Sequence, residues 1–255
     1  MTQNLVSLKK YVISLLAVMV AMTTLALAAP QDKDSDKMSK EKESQSDIDK
    51  RLDAAAKVLN EIMATPDKGI PDNIFASAKC VAVVPNLIKI AIGFGGSHGK
   101  GVATCRNANG WSAPAPITLT GGSWGLQLGG QATDLVLMVM NDDGMQKLLS
   151  SKFKIGAGAA ASAGPVGRHA QAGTDWKLNT SLLSYSRSKG LFAGIDLNGS
   201  SITQDKDETR LLYGGKFIPF SQLLDGKVHA PASAGEFLST VRKYSSVSAE
   251  QKQGE

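Results

Sequence analysis

Between Cys80 and Thr203 the chain is a succession of short apolar runs, VAVV, IAIGFG, GVATC, ITLTG, LVLMVM, SLLSYS and LFAGIDL, each cut off by Gly, Asn, Ser or Pro. Runs of this length suit strands, and strands separated by turn residues read as a largely antiparallel assembly. Glycine is concentrated in the same stretch. Inside a strand it marks a bulge, a sharp bend or a close backbone approach, so a flat sheet is disfavoured. The expectation is a curved, mainly antiparallel sheet or a barrel-like sandwich.

Helical patterns flank this region and place the chain in the α+β class. Ile48, Leu52, Ala55, Leu59 and Ile62 recur at the three-and-four spacing of an amphipathic helix, and Ser46 or Asp47 caps its first amides. The helix is expected from Asp47 to about Ala64, ended by Pro66, Gly69 and Pro71. Pro71 then suits the first turn of a short helix through Ala78. Within the strand region, Asp142 to Ser150 reads as one helix, with acids near its start and Lys147 nearer its end. Helices are expected again at Asp205 to Tyr213, Phe220 to Leu224 and Pro231 to Tyr244. Ser245 to Glu255 reads as a flexible tail. The folded domain is therefore 47–244, a size that carries one core.

The first 28 residues have the composition of a signal peptide: Lys9 and Lys10, an apolar stretch from Tyr11 to Met22, then Ala26-Leu27-Ala28 as a small-x-small cleavage site. The alternative is an uncleaved anchor, because about 19 mostly apolar residues just span a bilayer. No cysteine lies near the cleavage point, so a lipoprotein is not expected. Residues 29–46 alternate charge with almost no apolar side chain and read as a disordered, solvated linker. The expected location is periplasmic or secreted. The formal net charge of +5 falls to +3 on loss of Lys9 and Lys10, a mild excess that neither demands nucleic acid nor excludes an anionic surface. Cys80 and Cys105 lie in separate strand-like runs, and in an oxidising compartment they form a disulfide or remain two buried thiols.

The glycines raise phosphate loops first. Gly95 to Gly101, GGSHGKG, has Gly101 where a P-loop needs Ser or Thr and Phe94 where it needs its first glycine. Gly156 to Ala161 matches a permissive dinucleotide string but lacks a βαβ setting. Gly121-Gly122-Ser123-Trp124-Gly125 is a G-x-S-x-G string, with Asp196 and His229 downstream in triad order. The next residues are LQLGGQ rather than a helical face, so Ser123 as an esterase nucleophile is the weakest of the functions considered. His98, His169 and His229 form no ligand spacing, so no metal and no cofactor is expected. Asp205-Lys206-Asp207-Glu208 reads as a helix start, since it lacks the alternation of a calcium loop.

Two longer strings remain: AGPVGR, Ala163 to Arg168, and SYSRSKGLFAGI, Ser184 to Ile195. With Trp111-Ser112-Ala113-Pro114, the glycines at 121, 122, 125, 129 and 130, Asp134 and Tyr213-Gly214, they resemble the signature of the SYLF domain family over roughly Ile48 to Gly214. The resemblance implies phosphoinositide-membrane binding, as in eukaryotic members, or the actin binding of some fungal ones. For an exported bacterial member it implies non-enzymatic binding of anionic phospholipid at a membrane surface. The alternative is a protein-interaction or scaffold module. Candidate head-group donors are Lys100, Arg168, Arg187 and Lys189, each beside glycine or serine. The competing reading pairs Arg168 and Arg187 with Asp134, Asp175 or Asp196. Leu191 and Phe192 are the expected apolar insertion point, with Trp111 and Trp124 as further apolar contacts.

Overall fold

The computed structural model describes residues 33–65, 69–92, 94–124, 129–150, 152–156, 161–165, 181–188, 191–193 and 197–251; within these, the side chains of 33–46, 91–94, 123–129, 161, 191–193 and 247–251 are not described. The chain divides into two units, Met1–Lys40 and Glu41–Glu255, and the second carries the sheet and its core. The expected signal peptide lies outside the described residues. No described helix is long and apolar enough to cross a membrane.

Helix α1, Lys33–Met63, and the short α2, Asp72–Ser77, precede strands β1, Cys80–Ile92, and β2, Phe94–Asn107. Then come β3, Gly110–Trp111, β4, Ala115–Trp124, β5, Gly129–Val139, and α3, Asp142–Leu149. The remaining strands are β6, Lys152–Lys154, β7, Ala161–Ala163, β8, Leu182–Ser188, β9, Leu191–Ala193, and β10, Ser200–Gln204. The chain ends in α4, Lys206–Leu212, α5, Phe220–Leu224, a 3-10 turn, Ala232–Ala234, and α6, Gly235–Gln251.

Two boundaries differ from the sequence reading. Helix α1 starts at Lys33 instead of Asp47, so part of the expected linker is helical. The segment has no apolar stripe to reveal it, but it contains no Gly or Pro, and its four Lys and two Glu, with Met38 and Gln45, lose little freedom in a helix. Helix α6 likewise runs through the expected tail to Gln251.

The strands form one sheet in the order β6-β10-β4-β2-β1-β5-β8-β7, with β3 beside β2 and β9 beside β8, and every pairing is antiparallel except β7–β8. Eight strands laid flat would separate the outer pair by about 34 Å at the usual spacing. The outer strands β6 and β7 are joined by only residues 155–160, which reach about 25 Å fully extended. The sheet must therefore curl, and it does so into a half-barrel flanked by helices.

Alternation along the strands sorts the core into two clusters. On the outer face Val81, Val83, Val102, Val136, Met138, Leu183 and Tyr185 pack with Ile48, Leu52, Leu59 and Ile62 of α1, Phe75 of α2 and Phe237 of α6. On the inner face Ala82, Val84, Leu87, Ile117, Leu119, Leu135 and Leu137 enclose Phe153, Phe220 and Leu224. Cys80 and Cys105 also face inward, stand directly opposite each other and are joined by a disulfide.

VAVV and IAI, read as separate runs, are one strand with a bulge at Pro85-Asn86. Asn86 has φ 59°, and both ladders shift register across this point. Glycine makes room for it, since a Cβ on Gly101 would run into the Val83 carbonyl.

Candidate functional site

The strings that resembled a family signature interlock within the fold. β7 pairs parallel with β8, the Gly164 amide donates to the Ser184 carbonyl, and a Cβ on Gly164 would run into the Tyr185 ring. Gly164 is thus the seat of a buried tyrosine, whose hydroxyl burial pushes well above its ordinary pKa. Tyr213 donates to the Pro114 carbonyl at 2.6 Å, tying Tyr213-Gly214 to Trp111-Ser112-Ala113-Pro114. Ser112 Oγ in turn accepts the Cys105 amide at 3.0 Å, beside the disulfide.

Arg187 and Lys100, the two candidate head-group donors whose side chains are described, are engaged by carboxylates. Arg187 stands opposite Asp134 in the β5–β8 ladder and donates to its Oδ2 at 2.9 Å, while also pairing with Glu61 of α1. The other Asp134 oxygen accepts the Asn86 amide at 3.0 Å. One carboxylate therefore holds the β1 bulge and, through Arg187, the end of α1. The hydrogen bond to Asp134, with Glu61 adding to it, raises the Arg187 pKa against the smaller effect of burial.

Lys100, on β2, reaches Asp205 Oδ2 at 2.8 Å and Glu208 Oε1 at 3.0 Å. Arg51 of α1 pairs with the same Glu208 oxygen. Burial pulls the Lys100 pKa down, but the two carboxylates outweigh it and the net shift is upward. Asp205 is the mirror case: burial pushes it up, and Lys100, the Glu208 amide and Thr118 bring it below the usual range. Asp205 also caps α4, its Oδ1 accepting the Glu208 amide at 3.0 Å, as the helix-start reading expected.

Arg168 and Lys189 lie outside the described residues, as do Asp175, Asp196 and His169. Leu191 and Phe192 form strand β9, paired with Ser188 and Arg187, at the start of the run LFAGIDL that reads as a strand; their side chains are not described. Ser123 sits inside β4 opposite Gly95, and Trp124 after it still pairs with Phe94, so the strand runs through Ser123 instead of turning sharply at it as a nucleophile elbow does. Trp111 is buried, its indole donating to Ser245 Oγ at 3.0 Å.

Sequence reasoning missed an uncovered stretch of the outer sheet face. Beyond the bulge one row of opposed residues runs Lys154, Ser201, Thr120, His98, Ile88, Ala132, and the next runs Gly122, Gly96, Ile90, Gly130. All of these residues except Ser201 are exposed. Ile88 and Ile90 are 51% and 55% exposed there, amid glycine, alanine and hydroxyl side chains, with His98 directly opposite Ile88. The alternating isoleucines were legible as a strand, but their outward facing depends on the bulge. A second exposed apolar group is Phe217, 38% exposed, with the Lys206 and Arg210 charges 5.6 and 5.7 Å from its ring centroid.

Known proteins share much of this chain. Residues 120–244 match the family described as Ysc84, Las17-binding protein actin regulator. The chain is 30% identical over 189 residues to SH3 domain-containing YSC84-like protein 1 of Xenopus laevis, covering 71% of this chain and 56% of that one. It is 31% identical over 194 residues to Protein YSC84 of Saccharomyces cerevisiae, covering 72% and 41%. It is 31% identical over 187 residues to LAS seventeen-binding protein 3 of the same yeast, covering 69% and 40%. The chain thus spans about half the length of these relatives.

Proposed function

This chain carries a domain of the Ysc84/SYLF family, and we propose that it acts as a non-enzymatic protein-interaction module whose docking surface is the uncovered sheet face around Ile88 and Ile90. The observation that carries this is the placement of two large apolar side chains, more than half exposed, on a floor of mostly small residues with His98 opposite Ile88. Such a floor admits close approach by a partner, and two anchors on one strand provide the central apolar contact that interfaces favour. The names of the relatives supply the probes, a Las17-type protein and actin. Co-sedimentation with actin filaments and capture of purified Las17 are expected to succeed with the full chain. Both are expected to fall at least tenfold for Ile88→Ser/Ile90→Ser with an unchanged melting midpoint. Failure with both probes, or equal binding by the variant, overturns the reading.

Anionic phospholipid is the second reading, and Phe217 favours it: an exposed aromatic flanked by Lys206, Arg210 and Lys216 suits a membrane interface. Vesicles of phosphatidylglycerol in phosphatidylcholine test it, with Phe217→Ser as the variant. Arg168, Lys189, Leu191 and Phe192 remain proposed lipid contacts. We further propose export, from the composition of residues 1–28; the chain then works in the periplasm or outside the cell, and actin is met only in a host.

A further inference from the structure

We infer that the β6–β10 end of the sheet is an anion site for a phosphate-class group, held by Lys152 and Lys154. Strand β6 alternates exposed, buried, exposed, so both lysines stand on the outer side while Phe153 enters the core. Residues two apart on a strand are separated by about 6.7 Å, a span that two flexible ammonium stems close readily around one tetrahedral anion. Neither lysine pairs with a carboxylate among the described residues. That contrasts with Lys100 and Arg187, each held by two.

The lysines line a concavity of about 780 Å³ together with Gly156, Asn198, Gly199 and Ser201. Gly156 and Gly199 have φ 97° and 80°, and a Cβ on Gly156 would come within 2.9 Å of Asn198 Oδ1. Glycine at these turns keeps the floor open. Ser201 lies opposite Lys154, and its hydroxyl, now 3.1 Å from Thr120 Oγ1, is a further donor. Two mobile charges and a hydroxyl around one depression make a set of donors suited to phosphate. The competing explanation is that edge lysines only repel strand pairing; it accounts for the charges and leaves the depression unexplained.

The test is a titration of the 15N-labelled full chain with inorganic phosphate, against chloride at matched ionic strength. Saturable shifts are expected at the Gly156, Gly199 and Ser201 amides. Affinity is expected to fall at least tenfold in Lys152→Gln/Lys154→Gln with an unchanged melting midpoint. Lys50→Gln/Lys227→Gln, removing the same charge elsewhere, is expected to stay within twofold of the parent. Absence of saturation, equal affinity in the β6 variant, or equal loss in the control overturns the site. So does a β6 variant that aggregates while still binding phosphate normally, the result that edge protection alone requires. Phosphatidylglycerol vesicles distinguish the sources: displacement of phosphate by vesicles assigns a lipid head group, and no displacement assigns a soluble phosphate, either of which supports the site.

Discussion

The sequence offers Arg187 either as a ligand contact or as a partner of Asp134, Asp175 or Asp196, and the structure pairs it with Asp134 and with Glu61, a tie that stability measurements test. The Arg187, Asp134 and Glu61 side chains are 23%, 23% and 36% exposed. A hydrogen bond between charged groups contributes about 1.5–3 kcal/mol when well buried, and partial exposure places the Asp134 bond near the lower limit, about 1.5 kcal/mol. The more exposed Glu61 pair adds about 0.5 kcal/mol. Arg187→Ala is therefore expected to cost about 2 kcal/mol, a fall of roughly 4–8 °C in melting midpoint for a domain of this size. Asp134→Ala also strands the Asn86 amide at the bulge and is expected to cost at least as much, while Glu61→Ala costs about 0.5 kcal/mol. Urea denaturation of the two single variants and Asp134→Ala/Arg187→Ala gives the coupling directly, expected at about 1–1.5 kcal/mol. Stability of Arg187→Ala within about 0.3 kcal/mol of the parent, or a coupling near zero, would refute the reasoning and return Arg187 to the pool of ligand contacts.

Three further outcomes are expected. The Cys80–Cys105 bridge, separation 25, removes about 3.5 kcal/mol of unfolded-chain entropy, so dithiothreitol is expected to lower the denaturation midpoint; an unchanged midpoint would show that the bridge contributes nothing. Gly164→Ala drives a methyl into the Tyr185 ring and is expected to cost about 1–3 kcal/mol, but little in a Tyr185→Ala background, and additive costs would rule the collision out. The lowered Asp205 pKa means that its contribution is present above the unfolded value near 3.9 and is lost as pH falls through the folded one. Lys100, raised, keeps its share until the pH climbs beyond about 10.4. The stability gap between parent and Asp205→Asn, which preserves the cap, is expected to be level from about pH 5 to 8 and to close near pH 2; a gap persisting there counts against the ion pair.

The elements that sequence pattern revealed are those whose neighbours in the chain determine them. Asp205 caps α4 three residues on, and Phe220–Leu224 is helical where its own spacing placed it. The bulge at Pro85-Asn86 was not legible, because Pro-Asn punctuates a turn and a bulge alike; here a left-handed Asn86, held by Asp134 48 residues away, decides. That unseen bulge turns Ile88 and Ile90 outward. The partners of Lys100 were equally hidden: Glu208 is 108 residues distant and reaches it only because β4 and β10 bring α4 alongside β2. A basic residue beside glycine looks the same in sequence whether it meets a phosphate or a carboxylate.

The residues that mark the family are, in this chain, mainly residues of assembly. Gly164 seats Tyr185, Tyr213 bonds Pro114, and Asp134 binds both the bulge and Arg187. Groups saturated by one another within a core have no capacity left for a ligand, so a match built on them constrains the fold and is nearly silent about what the fold binds. Recognition must then fall to groups that folding leaves unsatisfied. In the described part of this domain, leaving aside the buried and unpartnered Tyr185 hydroxyl, the exposed ones include the isoleucines beyond the bulge, Phe217 with its cations, and the two lysines of β6. None belongs to the signature strings. Substituting the signature residues is thus expected to alter stability first and binding only through it, whereas substituting these exposed groups separates the two.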